Sequence, residues 1–161
     1  MKLSVVTTVP YPREAVYEAM CSQLPALAEY MPNIDHITVE KEERPSETVV
    51  DLVNRWHAAS SEVPAVARKF VKPEQMNWLD HAHWDKAAWR CDWRLQMGFL
   101  TDRINCRGST SYHETAAGHT EMRIEGEMSL NLKGMMPGFL LKKAQPAIEG
   151  FVTRTIEPNF Q

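Results

Sequence analysis

The chain has 161 residues, of which 43% are hydrophobic and 24% charged, so it can bury a real core and is too apolar for a disordered segment. Its formal net charge is −3, with Lys and Arg scattered rather than gathered, which argues against nucleic acid and against a charged interaction tail. No run approaches the roughly 18 apolar residues of a membrane span, and Cys21, Cys91 and Cys106 are an odd number without metal-ligand spacing.

The opening, MKLSVVTTVPYPREAVYEAM, lacks the unbroken apolar core and cleavage site of a signal peptide, so a reduced, cytoplasmic protein is expected. Residues 2–9 are rich in β-branched types and read as a first strand, stopped by Pro10 and Pro12. Pro12 to Cys21 is helix-like, with Ala15, Val16, Ala19 and Met20 at helical spacing behind an early Glu14. Pro25 opens a second short helix that Pro32 closes.

Beyond Pro32 the period changes to two. Strands are expected over 34–43, 48–58, 76–85, 88–97, 104–115 and 119–132, with hairpin turns near Lys86-Ala87 and at Ala117-Gly118. Residues 62–72 are ambiguous between a short helix and an irregular crossing. From 88 to 97, Trp89, Cys91, Trp93, Leu95 and Met97 share one face, and Arg90, Asp92, Arg94 and Gln96 the other. From 119 to 132, Met122, Ile124, Gly126, Met128, Leu130 and Leu132 alternate with charged or polar residues in the same way. One covered face and one wet face is the signature of an antiparallel sheet packed on one side. Gly108 and Gly126 stand mid-strand, where glycine marks a bulge or bend.

The last stretch, 137–160, reads as one long amphipathic helix. Leu140, Leu141, Ala144, Ile148, Phe151, Val152 and Thr155 form its apolar stripe. Pro146 removes a backbone donor inside it and predicts a kink, with Gly150 a turn later. Such a kink either gates a ligand or follows the curvature of the sheet.

A strand, two short helices, about six antiparallel strands and a long C-terminal helix form a distinctive order, and here the chain resembles the START-like (SRPBCC) superfamily. The residues that carry the likeness are VTTVPYPREAVYEAM at 5–20, EYMPNIDHITVEKEE at 29–43 and the helix from Gly138 to Glu157. The polyketide cyclase/dehydrase-like and Coq10-like branch is the most similar. The resemblance implies an α+β helix-grip fold, in which a curved antiparallel sheet of six to seven strands wraps the C-terminal helix as one domain over 1–161. It also implies a cavity between sheet and helix that holds a hydrophobic ligand, without a cofactor.

Candidate cavity residues follow from parity: Trp89, Trp93, Met97, Tyr112, Met122, Ile124 and Met128 from the sheet, and Leu141, Ala144, Ile148 and Phe151 from the helix. Each is equally a core residue, since large apolar side chains fill cores whether or not a ligand is present. His81 and His83 point the same way on a strand, as metal pairs do, but further ligands are not evident and a polar outer face explains them; no metal is expected. Asp51, Arg55 and His57 share a parity opposite to Val50, Leu52, Trp56 and Ala58, and turning the second set inward buries more apolar area. Tyr112 and Glu114 either reach the cavity or leave it at the end of a strand.

Three functions remain open. The first is binding of an apolar or aromatic small molecule, such as a lipid, quinone or polyketide-like compound, without catalysis. The second is a cofactor-free aromatase/cyclase-type enzyme. The third is a protein-interaction module with a closed cavity that uses the exposed strand face or the Met135-Met136 hinge, a segment that also suits transient membrane contact. Oligomeric state is not legible.

Overall fold

In the computed structural model the described residues are 1–59, 76–98 and 101–131, together with Lys142, Pro146 and Gly150. Seven strands, β1 (Lys2–Val9), β2 (Ile34–Glu43), β3 (Val49–Ala58), β4 (Asn77–Asp85), β5 (Arg90–Met97), β6 (Ile104–Glu114) and β7 (Thr120–Leu130), form one antiparallel sheet. Its order is β1-β7-β6-β5-β4-β3-β2. Strands β2 to β7 are therefore a meander, and β1 returns to pair with β7 along its whole length. The architecture is α+β with a curved sheet, as the order of elements predicts.

Because β1 and β2 lie at opposite edges, residues 10–33 must carry the chain across the sheet. They do so as α1 (Arg13–Ser22), α2 (Leu24–Leu27) and a 3-10 turn (Ala28–Tyr30). Pro12 caps α1 with extended backbone angles, and the Val16 amide donates to the Pro12 carbonyl at 3.1 Å. The second expected helix divides: Pro25 sits in the first turn of α2, and the chain tightens into the 3-10 turn before Pro32 forbids continuation. Helix α1 packs on β6 and β7, and α2 with the 3-10 turn packs on β2.

Strands β1 and β2 have the expected bounds, the other five differ by one or two residues, and one difference matters. The fifth strand starts at Arg90 rather than at 88, because Lys86 to Trp89 form the hairpin turn. Trp89 holds φ 50°, a left-handed conformation that costs a bulky residue about 1–3 kcal/mol unless its surroundings enforce it. Gly118, with φ 74°, takes the equivalent strained position in the β6–β7 turn at no steric cost.

Edge strand β2 is blunted by Glu40, Lys41, Glu42 and Glu43 and by two register shifts, which discourage pairing with another chain. Of the expected C-terminal helix, Lys142, Pro146 and Gly150 are helical. The remainder of 137–160, including Leu141, Ala144, Ile148 and Phe151, and the ambiguous segment 62–72 lie outside the described residues.

Candidate functional site on the inner face of the sheet

The covered face carries two apolar clusters at opposite ends of the strands. One gathers Leu3, Leu24, Met31, Ile34, Ile37, Trp56, Trp78, Met97, Cys106 and Met128 around α2 and β2. The other gathers Val16, Tyr17, Cys21, Leu52, Ala82, Trp84, Cys91, Tyr112 and Met122 beneath α1. Between them runs a band across the sheet with different chemistry. On β3 and β4 it is polar: Asn54 stands between Leu52 and Trp56, and Asp80 between Trp78 and Ala82. On β6 and β7 it contains Gly108 and Gly126, directly opposite each other.

Trp93 bridges the two halves of this band and packs against both clusters. It is half-buried, and its indole lies over the glycine pair. A β-carbon at Gly108 would stand 2.6 Å from Cζ2 of Trp93, and one at Gly126 2.8 Å from its Cη2. Glycine at 108 is required for a second reason, since the added carbon would sit 2.2 Å from the Glu125 carbonyl oxygen. Trp93 Nε1 donates to Thr110 Oγ1 at 3.3 Å, which fixes the ring across the floor. The middle of the inner face is thus occupied by an indole seated where two glycines leave room for it.

Asn54 and Asp80 face each other in register on β3 and β4. They are 1% and 9% exposed, on strands whose other inward residues are apolar. Burial raises the Asp80 pKa from its ordinary 3.8 to about 7; the nearby Asn54 amide and Trp56 indole favour the anion but by less. These neighbours stop short of hydrogen-bond geometry. Asp80 Oδ1, both polar atoms of the Asn54 amide and Nε1 of Trp56 have no partner among the described residues. Each such atom costs about 1–3 kcal/mol while it stays unmatched. Trp56 and Trp78, opposite each other on the same strands, stack with ring centres 5.9 Å apart and form the wall beside this pair.

The end beneath α1 is closed by aromatic packing. Tyr17 makes edge contacts with Trp84, Trp89 and Tyr112 at 5.2, 5.4 and 5.3 Å between ring centres. Arg13 lies 4.2 Å over the Trp89 ring, and Lys86 Nζ reaches Glu14 and Glu18, both at 2.9 Å. Helix α1 is thereby clamped on the β4–β5 hairpin, and the strained turn at Trp89 is held by these contacts. Burial pushes the Tyr112 hydroxyl and the Cys91 thiol well up and the Cys21 and Cys106 thiols up to about 11, so none is primed as a nucleophile.

The parity candidates therefore separate. Met97, Met122, Ile124 and Met128 are all buried on the inner face, and Trp93 lies at its centre. Tyr112, only 2% exposed, belongs to the packing under α1 rather than to a strand end, whereas Glu114 is exposed and 3.9 Å from Arg13. Trp89 belongs to the turn rather than to the strand face. The Asp51 carboxylate stays on the outer face, its Oδ1 2.6 Å from His83 Nδ1. Arg55 pairs with Glu40 and Asn77, and His57 stacks on His36 at 4.0 Å. His81 sits 3.4 Å from Gln96 on that same face. Among the described residues no group of three or more His, Cys, Asp or Glu gathers as a metal would require.

A family model described as "Protein of unknown function (DUF2505)" matches residues 4–153. The chain belongs to the DUF2505 family. No curated protein matches it. Among solved structures similar to this DUF2505 chain is a Thermus thermophilus protein, TTHA0849, 17% identical with a TM-score of 0.68, covering 99% of this chain and 91% of that one. The Zhui aromatase/cyclase of Streptomyces sp. R1128 is 14% identical with a TM-score of 0.67, over 96% and 86% of the two chains. A START superfamily protein of Mycobacterium smegmatis is 13% identical with a TM-score of 0.51, over 99% and 96%. At such identities the likeness is one of fold, and the fold of this DUF2505 protein is the START-like, helix-grip one. Among its described residues no helix is long and apolar enough to cross a membrane.

Asn54 and Asp80 were open to discovery in the sequence of this DUF2505 chain. Asn54 shares the parity of Leu52 and Trp56, and Asp80 that of Trp78, Ala82 and Trp84. A polar residue on an otherwise apolar parity is a signal in itself, because burying it without a partner is costly. Read as part of the run Asp80 to Asp85, the acid is masked by the histidines beside it.

Proposed function

We propose that this protein binds an apolar or aromatic small molecule in a cavity between the inner face of the sheet and the C-terminal helix, as one START-like domain over residues 1–161. The observation that carries this reading is the half-buried Trp93 indole packed against Gly108 and Gly126, between two apolar clusters. An indole left half-buried there offers a ring to a planar ligand, and an aromatic pair adds about 0.5–1.5 kcal/mol to area burial. Met97, Met122, Ile124 and Met128 would line the cavity beside it, and the thioethers would adapt to the ligand's outline. That Zhui is an aromatase/cyclase and that another neighbour is a START superfamily protein accords with such a ligand.

Native mass spectrometry of protein purified under mild conditions tests the reading. A co-purifying apolar molecule is expected, released by solvent extraction, with saturable binding of N-phenyl-naphthylamine to the stripped protein. A protein that carries nothing and leaves that probe's fluorescence unchanged would refute it.

One observation favours a second, enzymic reading. Asp80 is a buried acid with a pKa near neutrality, on the inner face, which is the property required of a general acid or base in a cofactor-free cyclase. The closed-cavity interaction module gains no comparable support from the inner face.

A further inference from the structure

Four polar atoms on the inner face are buried, close together and without a partner among the described residues: Asp80 Oδ1, Asn54 Oδ1 and Nδ2, and Trp56 Nε1. Their placement follows from the register. Asn54 and Asp80 are directly opposite on neighbouring strands, and Trp56 follows Asn54 by two residues on the same face. Leu52, Ala82, Trp78 and Leu95 surround them, so they form a polar island in apolar walls. Folding normally removes such atoms or pairs them, because each costs about 1–3 kcal/mol unmatched. A group of them side by side on one face is the counterpart of a ligand group with several hydrogen-bonding sites.

We propose that Asn54, Asp80 and Trp56 form a recognition point for the oxygen head, a hydroxyl or carbonyl, of a neutral and otherwise apolar ligand. The inference rests on the preceding reading that an apolar or aromatic molecule binds over the inner face, and it adds what that molecule must carry. The chemistry of the atoms selects the head. The indole and the amide supply N–H donors that require an acceptor oxygen. Asn54 Oδ1 and the carboxyl of Asp80 accept from a hydroxyl, and Asp80 also donates when it holds its proton. An anionic head would meet the Asp80 carboxyl in a site with no cationic side chain among its described neighbours. A hydrocarbon head would leave all four atoms desolvated and unmatched, which makes the site discriminating as well as attractive.

The test uses three probes of one shape: naphthol, methylnaphthalene and naphthylmethylamine, titrated against ligand-stripped protein by tryptophan fluorescence. Naphthol is expected to bind the wild type about tenfold or more tightly than methylnaphthalene, the discrimination of at least one buried hydrogen bond. In Asn54→Leu and in Trp56→Phe that ratio is expected to fall to near one, while methylnaphthalene binds as well as before or better. Circular dichroism establishes that each variant is folded, and the wild-type ratio alone decides the matter should one of them not be. Equal binding of naphthol and methylnaphthalene to the wild type overturns the recognition point and leaves the apolar site standing. Preference for naphthylmethylamine also overturns it, since an ammonium head would then be the partner of an ionised Asp80. Failure of all three to bind overturns the underlying reading together with the inference.

Discussion

Replacing Asp80 by Asn removes a charge and keeps the shape, so it isolates the cost of burying this carboxyl. The pKa rises from 3.8 to about 7 on folding, mainly through desolvation. The folded protein therefore holds the proton more tightly than the unfolded chain does. Between the two values the unfolded chain binds fewer protons, so stability falls as pH rises from about 4 to about 7 and then levels off. The full loss is about 4 kcal/mol, at 1.36 kcal/mol for each pKa unit. Near pH 4 the folded wild type holds a neutral acid where the variant holds a neutral amide, and the two should be of similar stability. At pH 8, Asp80→Asn should be the more stable by about 4 kcal/mol, or about 8–16 °C in Tm for a domain of this size. Urea unfolding of ligand-stripped wild type and variant at intervals from pH 4 to pH 8 measures the difference directly, and other titrating groups cancel in it. A difference that stays flat with pH, or a variant less stable at pH 8, would refute the reasoning: Asp80 would then be ionised and well satisfied in the folded state.

Two further perturbations probe what shapes the floor and the packing under α1. Gly108→Ala should cost about 3 kcal/mol, seen as a lower urea midpoint at an unchanged m-value, because the β-carbon meets backbone at 2.2 Å as well as the Trp93 ring; a loss below about 1 kcal/mol would mean that the strands part easily there. Tyr17→Ala should destabilise by about 3–5 kcal/mol through loss of three edge contacts, whereas Tyr17→Phe should be neutral or mildly stabilising, since the hydroxyl is buried without a partner among the described residues. Equal losses in the two variants would assign the hydroxyl a partner instead.

How far the inner face can be read in advance depends on the residue. Met122, Ile124 and Met128 declare themselves because strict alternation on a one-sided sheet permits only one orientation. For Asp51, Arg55 and His57 alternation leaves two orientations, and the sheet takes the one in which they face outward and Leu52 and Trp56 are buried. Trp89 lies outside the rule, since the hairpin needs one left-handed residue before β5, yet its ring still packs against the inner cluster under α1, where Arg13 and Tyr17 hold it. Tyr112 follows its parity inward, yet only the path of α1 across the sheet decides that it meets another tyrosine there.

By itself the sequence determined the order of elements, the faces of the most strictly alternating strands and hence the START-like fold, because period-two alternation and proline stops are local properties. It also gives Asn54 and Asp80 the parities of apolar neighbours, Leu52 and Trp56 for the first and Trp78 and Ala82 for the second, without deciding that they are buried. What only the tertiary structure decided is that these two residues stand opposite each other between two apolar clusters, without a partner among the described residues, while Trp93 is pressed onto two glycines in the same band. Those relations depend on strand register and on which clusters the crossing helices cover, and both are set by contacts between residues far apart in the chain.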